Sequence, residues 1–304
     1  VTTIATPPCP AGLTERPLTE ADAEAVYRVM AAQQRADLGR VDIELADIVA
    51  DWQRPSFDVA ASTVGVFDGD RLVGYAEYSG DERGDAAVDP SYGGRGLGTR
   101  LAHLMQALAR ARGARSVGMP VPEGGPGDRL LTALGYQLRW TSWVLQLPPG
   151  ARIADRELPA GYAVRAAHSA ELPAVHAVIE DAFAEWARRP RSTLDDFLAR
   201  TVRRPGYQPW MTRVVVEPDG RIAGAAQLIM TDAGEAYVER LATRADRRRR
   251  GLAQALLVDA FAVGRQHGAV TAGLSTDSRT GALGLYQRVG MVTVDTWVHR
   301  AISL

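Results

Sequence analysis

Two short stretches of this 304-residue chain carry the residue types needed to hold an anion. One reads Gly93-Gly94-Arg95-Gly96-Leu97-Gly98 and the other Arg248-Arg249-Arg250-Gly251-Leu252-Ala253, each followed by apolar residues at helical spacing. The first turn of a helix leaves backbone N–H groups unpaired, and the helix dipole adds about half a positive charge there. Glycines let an anion approach the backbone without a Cβ in the way. The flanking arginines, Arg95 in one stretch and residues 247–250 in the other, add charge-assisted donors. Such a turn suits a diphosphate. It is not the dinucleotide fingerprint Gly-x-Gly-x-x-Gly, because Thr99 stands where the third glycine would fall.

The two stretches align without a gap, Gly96 on Gly251, 155 residues apart, and Leu134-Gly135-Tyr136 matches Val289-Gly290-Met291 at the same offset. Upstream, Arg71-Leu-Val-Gly74 matches Arg221-Ile-Ala-Gly224, and Gly12-Leu-Thr-Glu-Arg16 faces Gly161-Tyr-Ala-Val-Arg165. An ordered series of this kind implies two copies of one domain. The Pro148-Pro149-Gly150 cluster sets the expected division at 1–150 and 151–304.

Each copy reads as α/β in one element order. An opening strand (14–16 or 162–165) leads to a helix with a capped start, then a hairpin (60–67 with 71–78, or 213–217 with 221–230). A fourth strand ends at Val88 or Thr243 and feeds the glycine turn and a helix whose stripe in copy one is Leu97, Leu101, Leu104, Met105 and Leu108. A strand (114–121 or 269–275), a further helix and a last strand (140–147 or 296–302) follow. On the fourth strand of copy two, Glu235, Tyr237 and Glu239 share a face by the period of two.

Composition narrows the chemistry further. At 46% hydrophobic, 23% charged and a net charge of −1, the chain has neither the basic excess of a nucleic-acid binder nor the profile of a disordered segment. It contains no lysine and no asparagine, which excludes a Walker lysine, a Schiff base and a catalytic asparagine. A single cysteine, Cys9, in an expected mobile leader, and five histidines without ligand spacing leave no metal site in view. Neither a bilayer-spanning run nor a signal segment is apparent, so the expected compartment is the cytoplasm. The segment holding Asp195, Asp196, Arg200, Arg203 and Arg204 reads as a solvated helix face, and Asp81-Glu82 as a loop.

These motifs resemble the GNAT superfamily of acyl-CoA-dependent N-acyltransferases. Its signature, Gln/Arg-x-x-Gly-x-Gly/Ala followed by a segment ending Leu-Tyr-x-x-x-Gly-Phe, is met in copy two by residues 248–253 and by Leu285-Tyr286-Gln-Arg-Val-Gly290-Met291. The chain is most like the two-domain mycothiol synthase group. The resemblance implies two tandem GNAT-like domains, each with a mixed, mostly antiparallel sheet splayed at strands 4 and 5 and helices on both faces. It implies acetyl-CoA bound by the turn residues (93–98 and 248–253), by Arg279, and by strand edges at Leu241, Ala242 and Thr243 and at Ala86 and Val88. It assigns Tyr286 as acid to the departing thiolate and Glu239, with Glu235 as the alternative, as base toward an amine. Copy one carries Leu131 at the tyrosine position and Gly93 at the Gln/Arg position, which implies a degenerate, non-catalytic domain.

The expected activity is acetyl transfer to a primary amine of a small molecule, without a metal. Trp186, Tyr207 and Trp210 fall where acceptor pockets form in that superfamily. The competing readings are a non-catalytic acyl-CoA-binding or regulatory protein and an interaction scaffold without a ligand.

Overall fold

The computed structural model describes residues 8–186 and 189–304. Copy one contributes β1 (Thr14–Arg16), α1 (Ala23–Leu38), α2 (Leu45–Trp52), α3 (Val59–Ser62), β2 (Thr63–Asp68), β3 (Arg71–Gly80), β4 (Arg83–Val88), α4 (Leu97–Ala111), β5 (Ser116–Pro122), α5 (Pro126–Ala133) and β6 (Gln137–Gln146). Copy two repeats the order with β7 (Ala163–Ala166), α6 (Leu172–Ala184), α7 (Leu194–Arg200), β8 (Thr212–Val216), β9 (Ile222–Met230), β10 (Glu235–Thr243), α8 (Leu252–Gln266), β11 (Thr271–Asp277), α9 (Leu283–Arg288) and β12 (Val292–Ser303). One boundary departs from expectation. Residues 59–62 form the short helix α3 because the Asp58 carboxylate accepts the Ala61 N–H, which starts a turn where a strand was expected.

Two compact units result: one runs to Thr141 and takes in Trp297–Leu304, the other is Ser142–Thr296. The break therefore falls at 141/142 rather than at 150/151. The reason lies in the last strand of each copy. Residues 142–146 of β6 pair antiparallel with β11 in the second unit, and residues 297–303 of β12 pair antiparallel with β5 in the first. A strand joins the edge whose N–H and C=O groups it can pair, regardless of sequence distance.

In the second unit, β7, β8, β9 and β10 pair antiparallel in succession and β10 pairs parallel with β11. Helices cover both faces of this sheet. Leu252, Leu256, Leu257, Ala260 and Phe261 of α8 pack on Val215, Ala236, Val238 and Leu274, while Val175, Val178 and Ile179 of α6 and Phe197 of α7 pack on Val214, Val216, Ala225 and Ala242. Burial of each large aliphatic side chain stabilises the unit by roughly 1.5–3 kcal/mol. The first unit has the same two-sided build, with Leu97, Leu101 and Met105 of α4 on one face and Val26, Val29 and Trp52 of α1 and α2 on the other.

Candidate active site

The chemistry-bearing residues of copy two are placed by one irregularity in β10. In the β9–β10 ladder Val238 lies opposite Leu228 and Arg240 opposite Gln227, so Glu239 is the extra residue of a bulge. The insertion reverses the alternation. Before it, Ala236 and Val238 face the α8 core; after it, Ala242 faces the α6 core and Leu241 turns to α8. The parallel pairing of β10 with β11 runs only from Glu235 to Val238. Beyond the bulge the two strands part, and the splay opens where Leu241, Ala242 and Thr243 lead into the turn.

Glu239 lines a small cleft together with Arg200, Arg204, Tyr207, Thr212 and Gln227. Its carboxylate lies 3.4 Å from the Arg240 guanidinium. Gln227 is 3% exposed; its Oε1 accepts from Arg240 at 2.9 Å, while its Nε2 has no hydrogen-bond partner among the described residues. A buried amide donor of this kind is costly unless an incoming oxygen meets it. Glu235, the other candidate base, accepts from Gln146 Nε2 at 2.8 Å and lies against Gly273, outside the cleft lining.

Tyr286 sits on α9, 7% exposed, in the same apolar cluster as Leu241 and Leu252. Burial pushes its phenol up to about 12, and no described side chain or carbonyl bonds its hydroxyl. It does not line the Glu239 cleft.

Between Thr243 and α8 the chain makes a tight 3-10 turn at Ala245–Arg247, then places Arg249 (φ 62°) and Gly251 (φ 81°) in the left-handed region. Arg249 in that conformation carries strain of about 1–2 kcal/mol, whereas Gly251 adopts it freely and opens the way to the amides that start α8. Leu252 buries its side chain, so its N–H is what it offers. Thr243 Oγ1 is buried without a partner at the mouth of this turn.

The arginines divide into two sets. Arg244 and Arg247 both hold Glu217, at 2.6 and 2.5 Å, and both hold Asp246. Arg248 is bidentate to Glu185 at 2.6 Å, so it braces the turn instead of facing outward. Arg249 and Arg250 make no ion pair with described residues. Arg279 is tied to Asp277 at 2.6 Å and lies over the Trp186 ring at 4.8 Å. Within the turn itself, the donors left for an anion are therefore the α8 amides, Arg249 and Arg250.

Copy one keeps the turn and loses the rest. Gly94 and Gly96 are left-handed like Arg249 and Gly251, and Arg95 lies over the Tyr92 ring at 5.0 Å. Gly98 packs under Leu130, and the Gly93 N–H bonds the Pro90 carbonyl. Its strand edge is filled from within: the Ala86 N–H bonds Asp85 and the Val88 N–H bonds Gln33 at 2.7 Å. Gly84 stands where copy two has Glu239, and a Cβ there would meet Met105 Sδ at 2.4 Å. Leu131 is buried at the tyrosine position. Opposite one another in the β3–β4 ladder are Glu77 and Asp85, where copy two has Gln227 and Arg240. Burial, reinforced by the Asp51 carboxylate, pushes Glu77 up to about 8, and burial pushes Asp85 to about 6.

Other expectations need correction. Asp196 and Arg204 of the supposed solvated face are buried, because Phe197 and Ala199 anchor that segment in the core and turn Arg200 and Arg204 into the cleft. Of the three aromatics only Tyr207 lines the cleft; Trp210 stacks on His267 at 3.9 Å. Cys9 is partly buried with its Sγ on the Leu13 carbonyl, and burial pushes its thiol up, away from reactivity. The leader residues before position 8 lie outside the described residues. Asp81 and Glu82 do form the β3–β4 turn, at φ 51° and 61°.

The model of the acetyltransferase (GNAT) family matches residues 25–126 and 172–291. Over 300 residues the chain is 28% identical to a mycothiol acetyltransferase of Thermobispora bispora, covering 93% of this chain and 97% of that one. It is 30% identical over 237 residues to a mycothiol acetyltransferase of Clavibacter michiganensis, 74% of each. A GCN5-related N-acetyltransferase from Sphaerobacter thermophilus superposes with a TM-score of 0.75 at 28% identity over 97% of each chain. A tandem GNAT protein from the clavulanic acid biosynthesis pathway superposes with a TM-score of 0.71 at 18% identity, a likeness of fold, covering 96% of this chain and 98% of that one. The chain belongs to the GNAT acetyltransferase family.

Proposed function

We propose, from the premise of a GNAT acetyltransferase with two copies of the fold, that copy two alone transfers an acetyl group from acetyl-CoA to the primary amine of a small molecule. The observation that carries this reading is Tyr286: a tyrosine whose ring is packed in the core while its hydroxyl bonds no described residue and is not sealed from solvent, on the segment that follows the splayed strand and the anion turn, replaced in copy one by Leu131. A phenol with a packed ring and an unpaired hydroxyl is free to donate to a bound molecule.

The residues present fit the cofactor. The α8 amides, Arg249 and Arg250 would hold its diphosphate, Thr243 Oγ1 offers a polar contact, and the open edge of β10 receives the pantetheine arm. The amine enters from the cleft, where Gln227 Nε2 orients an oxygen of the acceptor. As the amine nitrogen bonds the thioester carbon, Glu239 takes its proton, directly or through water. The C–S bond then breaks. A phenol near 12 is a weaker acid than an ordinary thiol at ~8.5, so Tyr286 stabilises the departing sulfur chiefly by donating a hydrogen bond. The proton collected by Glu239 balances the free thiol through solvent, giving the amide and coenzyme A. No step calls for a metal.

Copy one, without counterparts of Tyr286 and Glu239 and with its strand edge filled, is the degenerate partner; the non-catalytic binding reading applies there. The reaction takes place in the cytoplasm on this reading; no helix among the described residues is long and apolar enough to cross a membrane. The test is release of free thiol from acetyl-CoA across a panel of small primary amines, headed by the amine precursor of mycothiol because both curated relatives bear that name. Amine-dependent release by the wild type, lost in Glu239→Gln, is the expected result. Thermal stabilisation by acetyl-CoA with no thiol release from any amine would replace it with the binding reading.

A further inference from the structure

We propose that Arg156, in the segment joining the two copies, is a cofactor-binding residue that closes over the diphosphate at Gly251; this rests on the cofactor reading above. The segment is docked, not loose. Ile153 is buried and Leu158 packs in the α8-side core, and Gln254 of α8 donates to the Ala154 carbonyl at 2.8 Å. Docking brings the Arg156 side chain across the helix start: a Cβ built on Gly251 would lie 2.4 Å from Arg156 Nε and 2.5 Å from its Cδ. Gly251 is thus needed twice, for its left-handed backbone and for the room this arginine takes.

Charge shows what the arrangement is for. Arg244, Arg247 and Arg248 are all matched by Glu217, Asp246 or Glu185. Arg156, Arg249 and Arg250 make no ion pair with described residues, and all three stand around the positive end of α8. Three exposed cations at a helix N-terminus repel one another and the dipole weakly through water, so an anion among them is favoured. Copy one lacks the device. No described residue comes within 4 Å of a Cβ on Gly96, and at the aligned register the sequence has Pro7, which carries no charge.

Calorimetric binding to the full chain tests the assignment with acetyl-CoA, its 3′-dephospho form and S-acetylpantetheine as probes. Arg156→Ala weakens the first two equally, by about tenfold, the worth of a charge-assisted hydrogen bond at a half-open site. It leaves S-acetylpantetheine, which has no phosphate, unchanged, and Arg156→Lys recovers part of the loss. Arg156 is exposed, so the variant keeps its fold, checked by melting. Unchanged or tighter acetyl-CoA binding in Arg156→Ala would overturn the proposal, as would a loss confined to the 3′-phosphorylated probe. Arg250→Ala separates the two readings: weakening there alone leaves the turn as the cofactor site without Arg156. Absence of acetyl-CoA binding by the wild type would remove the cofactor reading itself.

Discussion

Replacing Tyr286 by phenylalanine separates chemistry from packing because a catalytic hydroxyl and a structural one predict different losses, the first in turnover and the second in stability. The hydroxyl is carried into a site 7% exposed without a partner, and burial alone raises it to about 12. That oxygen is not among the buried polar atoms left without a partner, so removing it changes stability by less than about 0.5 kcal/mol. For a unit of this size the melting temperature then stays within about 2 °C. Loss of the donor to the departing sulfur lowers kcat about 100-fold, as for a single donor to a developing anion. Affinity for acetyl-CoA stays within about twofold. The sign with pH follows from the raised value: between about 10 and 12 the native state holds a proton that the unfolded chain has released. Wild-type stability therefore falls through that window, and the variant loses this contribution. Thiol-release kinetics, calorimetry and thermal melts measure all three quantities. A lower melting temperature with unchanged kcat would show a tyrosine held for its core contacts, and the catalytic assignment would fail.

Glu239→Gln lowers kcat by about 100-fold or more in thiol release while leaving acetyl-CoA affinity intact; unchanged turnover with Glu235→Gln inactive would move the base to Glu235. Leu131→Ala costs about 2–5 kcal/mol by denaturant unfolding but leaves kcat unchanged under conditions where the chain is folded; a large kcat loss in the folded variant would give copy one a part in the chemistry. Glu77 is raised from 4.5 to about 8, so the native state binds the extra proton and stability declines as pH rises from about 4.5 to 8, by at most about 5 kcal/mol. Glu77→Gln, the residue copy two carries at that register, flattens the decline in urea unfolding across that range; an unaltered slope would show that another group is responsible.

Local patterns in the chain were sufficient for much of this protein. The helix stripes of α4 and α8 and the Gly251 turn depend on residues within a few positions of one another, where periodicity and backbone conformation are local physics, and the repeat and the Tyr286/Leu131 contrast follow from aligning two such local patterns. The period of two grouped Glu235, Tyr237 and Glu239 on one face, but the bulge breaks that alternation and only Glu239 lines the cleft. Partner choice was not legible. Nothing near Arg248 announces Glu185, 63 residues away, or that the neighbouring Arg249 and Arg250 make no ion pair with described residues. Nor does the segment around Arg200 reveal that Phe197 would draw it into the core and aim its arginines at a cleft.

The same limit governs the largest discrepancies. A bulge is an offset between two strands, so Glu239 became the extra residue only when β9 supplied Leu228 and Gln227 as neighbours on either side. The compact units close with β6 on β11 and β12 on β5 because edge hydrogen bonds are satisfied in space, not along the chain. The sequence by itself determined which elements form and which residue types are available for acetyl transfer, through short-range spacing and backbone preference. Tertiary structure alone decided which charges cancel, which strand edge stays open and which arginine reaches Gly251, since each is a pairing among groups that only long-range packing brings together.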